Sequence, residues 1–251
     1  MKACVVLNEN MSKRLIAKGV VATPLVKNAL AKGTVVITLG TTNAIVAEEI
    51  LGRPIDRGAF AAGFIDDRWN INARVGEVGE IVLREGEEVT VDSQELLDSL
   101  GAGDLIIKGG NAIDPWGVVG VLTGAASGGT VGRYLPLALA RGVDVVIPIG
   151  LAKTIHSSIT DLARELGSGK VDRCMGIPCG IFPLVGRVIT EIDALETLFP
   201  VEVTQVANGG VGRGGGSVSL LITGEEAAVE KAFDLVSSLQ GESRTVFEGC
   251  A

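Results

Sequence analysis

Asp104-Leu-Ile-Ile-Lys-Gly-Gly-Asn-Ala-Ile-Asp114 sets a short apolar run against a lysine, two glycines, an amide and a carboxylate. Leu105 to Ile107 reads as a strand, and Lys108, Gly109 and Gly110 then stand at its C-terminal tip. In open α/β sheets ligands bind at that edge. A lysine beside flexible glycine backbone holds an anion such as phosphate or carboxylate. The competing reading is a plain turn in which Lys108 points to water.

Working outward, apolar runs alternate with helical patterns. Residues 3–8 and Thr34-Val-Val-Ile-Thr-Leu39 read as strands, the second by its β-branched content. Between them, residues 12–30 carry a helical pattern broken near Gly19 and at Pro24. Gly40-Thr-Thr-Asn43 opens a helix to Leu51, with Thr42 or Asn43 as its cap. That strand–loop–helix unit turns backbone N–H groups and hydroxyls toward any anion at the helix start, although ordinary capping explains the same residues. Residues 60–65 are expected as a strand ending at Asp66 and Asp67. Residues 79–90 are expected as a hairpin turning at Glu85-Gly86, and residues 93–100 as a short helix. Further on, residues 118–122 form another apolar run, 143–149 read as a strand, and 130–140 and 157–166 as helices. The alternation implies an α/β fold, a doubly wound and mostly parallel sheet with helices on both faces. Cys174 to Pro183 is rich in Gly and Pro and reads as a connector or an irregular strand. After residue 185 the order strand (187–190), helix (191–198), strand (201–207), strand (218–222), helix (225–240) is that of a small ferredoxin-like α+β domain. A last strand at 245–247 would complete it. The expected division is a ligand-binding domain over 1–185 and a small domain over 186–251.

Composition narrows the function classes. Of the 251 residues 47% are hydrophobic and 21% charged, which fits a folded globule. Aromatics are only 4%, so the core is built from aliphatic side chains, as buried parallel strands are. The net charge of −8 with no basic cluster argues against nucleic acid. No apolar run has the length of a membrane span and no signal-peptide pattern stands at the start, so no membrane association and a cytoplasmic location are expected.

Most motif matches dissolve on inspection. Gly210-Val-Gly212-Arg-Gly-Gly215 matches a dinucleotide fingerprint in letters, but a strand rather than a helix follows it, so a glycine hairpin with Arg213 at its tip is the better reading. Gly128-Gly129-Thr130 at a helix start is a phosphate candidate without a P-loop lysine. Cys4, Cys174, Cys179 and Cys250 lack zinc spacing, and His156 is the sole histidine, so no metal and no cofactor are expected. Asp66, Asp67, Glu95, Asp98 and Asp114 are the carboxylates near strand ends or helix starts.

Two stretches carry a family likeness. Val35-Val-Ile-Thr-Leu-Gly-Thr-Thr-Asn43 resembles the strand–G-T-G-S-T–helix phosphate loop of ribose-5-phosphate isomerases. Leu105-Ile-Ile-Lys-Gly-Gly110 resembles their I-K-G-G segment at a similar separation. The wider superfamily includes glucosamine-6-phosphate deaminases and coenzyme A transferases. The resemblance implies a doubly wound sheet, a small ferredoxin-like lid and a sugar-phosphate ligand. The loop here is one residue shorter and lacks the second glycine. The family's acidic segment before the lysine is missing, and Gly117 stands where its catalytic glutamate would. Asp114 is the acid nearby.

These observations converge on a small anionic metabolite, such as a sugar phosphate, held at the strand tips. Gly40, Thr41, Thr42, Asn43, Gly109, Gly110 and Asn111 are the expected binding residues. Lys108 and Asp114 are the expected catalytic pair for an aldose–ketose type isomerisation. Asp114 would move the proton and Lys108 would stabilise the oxyanion. The alternatives are a noncatalytic metabolite sensor or assembly protein whose C-terminal unit forms a homo-oligomer, and an acyl or coenzyme A transferase.

Overall fold

The computed structural model describes residues 1–66 and 78–245. The elements are β1 (Lys2–Leu7), α1 (Glu9–Ala22), α2 (Pro24–Lys32), β2 (Thr34–Ile37), α3 (Thr41–Leu51), β3 (Ile81–Arg84), β4 (Glu87–Val89), α4 (Ser93–Ser99), β5 (Leu105–Ile107) and β6 (Ala112–Ile113). They continue with β7 (Val119–Thr123), α5 (Gly129–Arg141), β8 (Asp144–Pro148), α6 (Ile159–Glu165), β9 (Gly180–Leu184), β10 (Arg187–Ile189), α7 (Glu191–Leu198), β11 (Val201–Gly209), β12 (Ser217–Gly224) and α8 (Glu226–Ser238).

Short polar side chains set most helix starts. Asn8 accepts from the Asn10 and Met11 amides to begin α1. Thr23 ends α1 and caps α2, whose first residue is Pro24, so the expected interruption falls there rather than at Gly19. Asp92 starts α4, and Thr190 with Asp193 forms a capping box on α7.

The central sheet is mixed and six-stranded, in the order β10-β8-β5-β2-β3-β4. β2, β5, β8 and β10 are parallel, whereas β3 and β4 form an antiparallel hairpin on one edge, turning at Glu85-Gly86 as expected. Strand alternation feeds two cores. Val35, Ile37, Leu105 and Ile107 pack with Ile16, Val20, Val26 and Ile45 of α1 to α3. Val36, Ile106, Val145 and Ile147 pack with Leu96 of α4 and Tyr134 and Leu135 of α5. A fully buried Ile or Leu contributes about 2 kcal/mol. From β2 the chain moves outward through α3 to β3 and β4, then returns through α4 to β5 on the other side of β2. The connections after β2 and β5 thus leave on opposite faces, and a crevice opens between their tips.

Three expectations are corrected. Residues 60–65 form no strand: Phe60 is buried in the first core and Gly63 turns the chain at φ +66°. Residues 187–189 do not begin a C-terminal unit; β10 extends the parallel ladder beside β8 because Ile189 completes the first core. In the small sheet, ordered β1-β12-β11, its place is taken by β1 from the other end of the chain. Val5 and Leu7 of β1 share a core with Leu220, Ile222, Leu195 and Val229. The division at residue 185 therefore does not follow the strand pairing. A third sheet, β6-β7-β9, stands beyond β5. No helix among the described residues is long and apolar enough to cross a membrane. Residues 246–247 of the last expected strand, Asp67, Cys250 and the Arg213 side chain lie outside what is described.

An ion-pair network ties the segment after α8 to α1, to α3 and to Arg57 in the loop that follows α3. Glu48 accepts from Arg14 Nη2 at 2.6 Å and Arg57 Nη2 at 2.7 Å; Glu242 accepts from Arg14 Nε at 2.9 Å and Arg57 Nη2 at 2.8 Å. Burial pushes both carboxyls up, but the arginine hydrogen bonds outweigh it and hold both below the usual carboxylate range. A carboxylate with a depressed folded-state pKa stabilises above its unfolded pKa of about 4.3 and loses that contribution as pH falls through the folded value. Glu242→Gln is expected to lower stability by about 2 kcal/mol at pH 7, measured by urea unfolding. The deficit against wild type should shrink as the pH is taken below 4.

Candidate functional site

The crevice is built from the two central strand tips. Past Ile37, the Thr38 N–H donates to the Ile107 carbonyl at 3.1 Å and the Thr38 hydroxyl donates to the same oxygen at 3.0 Å. Asn43 Nδ2 donates to the Thr38 carbonyl at 2.8 Å and to Ile107 O at 3.2 Å. Asn43 therefore staples the start of α3 to both tips, a use that its expected role as an anion ligand did not anticipate. Gly40 is held from the other side, its N–H donating to Phe60 O at 2.9 Å. No side chain caps α3 and no acidic residue stands in its first turn. Among the described residues the amides of this helix start have no capping side chain.

Lys108 follows β5 directly. It is only 9% exposed, and its Nζ donates to the Gly109 carbonyl at 3.0 Å. Among the described residues no carboxylate pairs with it. Burial pulls its pKa down to about 8. A second lysine joins it. Lys153 lies in the short 3-10 turn Leu151–Lys153 after β8, the strand beside β5, and its Nζ donates to Gly110 O at 2.8 Å. Burial, followed by the nearby positive charge of Lys13, also brings Lys153 down to about 8. The two ammonium groups thus rest on consecutive carbonyls of the Gly109-Gly110 turn. That turn requires glycine at 110, where a Cβ would lie 2.2 Å from Val119 Cγ1. Buried Glu191 anchors the second lysine's turn by accepting from the Leu151 N–H at 2.9 Å.

Gly40, Thr41, Thr42, Asn43, Lys108, Gly109, Gly110, Asn111 and Lys153 line one narrow cleft, roofed by Ala62, Gly63 and Phe64. All the expected binding residues therefore meet. Asn111 is committed internally: its Nδ2 donates to Gly63 O at 2.8 Å and its Oδ1 accepts from Leu122 N at 3.0 Å, which fixes the roof to β7. The cleft continues into a larger one of about 430 Å³, reaching the Gly124–Val131 segment and sharing Leu39, Ala62, Gly63, Lys108 and Asn111. That volume suits a small molecule. No carboxylate lines either part among the described residues.

Asp114 does not line the cleft. Its Oδ1 accepts from the Trp116 and Val118 amides at 3.0 and 2.9 Å, and its Oδ2 from Ile159 N at 3.1 Å. It is 4% exposed and joins the β6–β7 turn to the start of α6, so its expected work as a base is replaced by a structural one. Glu95 and Asp98 are exposed on α4, and His156 is exposed outside the cleft. Among the described residues no three His, Cys, Asp or Glu side chains gather into a cation site. Another hollow, of about 550 Å³, lies between α1 and the segment after α8, but its Glu9 pairs with Lys13 and its Glu242 with Arg14.

The residue that sequence reasoning passed over is Lys153. Its one signal was its position, four residues beyond a strand expected to end at Ile149. The chain matches no family model, no curated protein and no solved structure.

Two outcomes follow. A lysine with a folded pKa near 8 and an unfolded pKa of about 10.4 destabilises while charged, and that cost is relieved as pH rises between the two values. Lys108→Met should therefore be more stable than wild type by about 2–3 kcal/mol at pH 7, the gap closing toward pH 10 in chemical-denaturation curves. Asp114→Ala removes the acceptor of the Trp116, Val118 and Ile159 amides, the last of them buried, and should cost about 2 kcal/mol in the same assay.

Proposed function

We propose that the protein binds a small anionic metabolite of the sugar-phosphate type, the anion lying against the start of α3 with Lys108 and Lys153 beside it. The observation that carries this reading is a cleft lined by two lysines, Lys108 buried and Lys153 half-buried, with no described carboxylate in its lining, in a chain whose net charge is −8. A buried ammonium group such as Lys108, with no described carboxylate paired to it, is costly, and a bound anion removes the cost. The uncapped start of α3 adds favourable dipole on the same side.

The fold side of the proposal is a doubly wound sheet related to the isomerase, deaminase and coenzyme A transferase group. What supports it is the strand order: numbered by position along the chain, the strands of the central sheet stand 3-2-1-4-5-6, the order of doubly wound sheets. The loop after the first strand and the lysine after the fourth then flank its switch point. The small sheet with α7 and α8 on one face carries the lid-like part of the comparison, with β1 in place of the strand expected there.

In the catalytic form of this reading, an isomerisation moves a proton next to a carbonyl. Lys108 or Lys153 would hold the developing oxyanion as the ammonium, and the other, neutral in part near pH 8, would exchange the proton. The absence of a described carboxylate from the cleft favours a second reading, a sensor that binds the same metabolite without turning it over. Acyl transfer through a carboxylate nucleophile has no such support.

Calorimetric titration with ribose 5-phosphate, glucosamine 6-phosphate and unphosphorylated ribose tests binding. Phosphorylated sugars should bind at pH 7, weaken as pH rises through 8 to 9.5, and bind at least tenfold less tightly to Lys108→Met and Lys153→Met. The sign follows from the lysines, which must be protonated to receive the anion. Phosphorylated sugars that bind no better than ribose, or equally well to both variants, would sink the reading. Exchange of the sugar C2 proton in D2O separates enzyme from sensor.

A further inference from the structure

We propose that the open face of the small sheet is the contact with a second copy of this chain, packed about a two-fold axis that runs along β12. The inference is independent of what the cleft binds.

Residues of β1, β12 and β11 alternate between the two faces of that sheet. Val5, Leu7, Leu220, Ile222 and Val203 point into the core shared with Leu195 of α7 and Val229 of α8. The residues between them make the other face. Val6 and Val206 there are 59% and 61% exposed, and Cys4 is exposed as well. The outward face of an antiparallel sheet is ordinarily polar when it meets water. This one confines its charge to one end.

The register shows how. At that end Lys2 and Glu202 stand on the two edge strands, with Thr223 between them. In the middle, Cys4 and Thr204 flank Leu221. At the far end Val6 lies on one side of Ser219, and Ala207 with the bulged Val206 on the other. Lys2 and Glu202 are two strand spacings apart, about 10 Å, and make no ion pair with each other or with any described residue.

A two-fold axis parallel to β12 keeps each row level and exchanges the two edges. Lys2 then faces Glu202 of the partner subunit, Val6 faces Val206 of the partner subunit, and Leu221 meets its own copy on the axis. One operation therefore matches both charges and the apolar end. A two-fold across the strands would instead set Lys2 against Val6 of the partner subunit and leave both charges unpaired. Sheets packed face to face stand about 10 Å apart with nearly aligned strands, a gap that a lysine and a glutamate reaching toward each other span. This self-complementarity in charge singles out a second copy as the occupant.

Sedimentation equilibrium of the full chain at low ionic strength tests the proposal. Wild type should show a monomer–dimer equilibrium, its dissociation constant raised at least about tenfold by Lys2→Glu, by Glu202→Lys and by Val6→Glu. All three positions are exposed, so circular dichroism should show the fold unchanged. Each charge reversal sets like charges against each other across the axis. An equimolar mixture of the Lys2→Glu and Glu202→Lys chains matches every pair again and should recover the dimer, one copy of each. A wild type that stays monomeric at about 0.5 mM would overturn the proposal and leave the face to a different occupant. A dimer that the charge reversals do not weaken, or that mixing does not recover, would also overturn it.

Discussion

One carbonyl oxygen organises the centre of this molecule. Ile107 O receives the Thr38 amide, the Thr38 hydroxyl and the Asn43 side chain, three donors from the segment that leads from β2 into α3. The parallel ladder between β2 and β5 would otherwise end at Ile37 and Ile107. These bonds carry the pairing one residue further and seat the first turn of α3 on the neighbouring strand. The next residue after that carbonyl is Lys108. The helix start and the lysine therefore share a fixed origin, and the cleft between them is a product of strand pairing rather than of loop conformation. Sites built on such elements hold their geometry better than sites built on loops alone.

The second constraint is electrostatic. An acidic chain would be expected to surround any buried lysine with carboxylates, as it does Arg14 and Arg57 on the other side of α3. At the cleft it supplies backbone carbonyls instead, those of Gly109 and Gly110. A neutral acceptor satisfies one proton of an ammonium group but does not neutralise it. The contrast between the two sides of α3 separates a network that stabilises the fold from a pair of charges kept open at a cost.

Much of the framework could be read from residue order. Apolar runs located β2, β5, β8, β11 and β12, and Ser, Thr, Asn and Asp marked most helix starts because capping is local chemistry. The meeting of Gly40–Asn43 with Lys108–Asn111 was also legible, since each stood after an apolar strand. What escaped depended on long-range pairing. Lys153 lies 45 residues beyond Lys108, and only the β5–β8 ladder brings them together. The partner that commits Asp114, the Ile159 amide, is equally remote in the chain. Arg187–Ile189 has the composition of a strand, but composition does not say which sheet edge it will join. Residues 60–65 looked like a strand because Phe60 and its neighbours are apolar, yet their apolarity serves an anchored loop over the cleft.

The placement of β1 has a consequence for how the molecule comes together. Lys2 pairs with Thr223 and Leu7 with Val218, so the small sheet closes a loop of more than two hundred residues. The entropy of that closure grows only slowly with length, but contacts so far apart in sequence delay folding. During synthesis β1 must wait, unpaired, until β12 has emerged, while α1, the helix that follows it, can already pack on α3. Assembly of the central sheet before the small one is the order this topology favours, and the interval between them is when the exposed edge of β1 is open to a wrong partner.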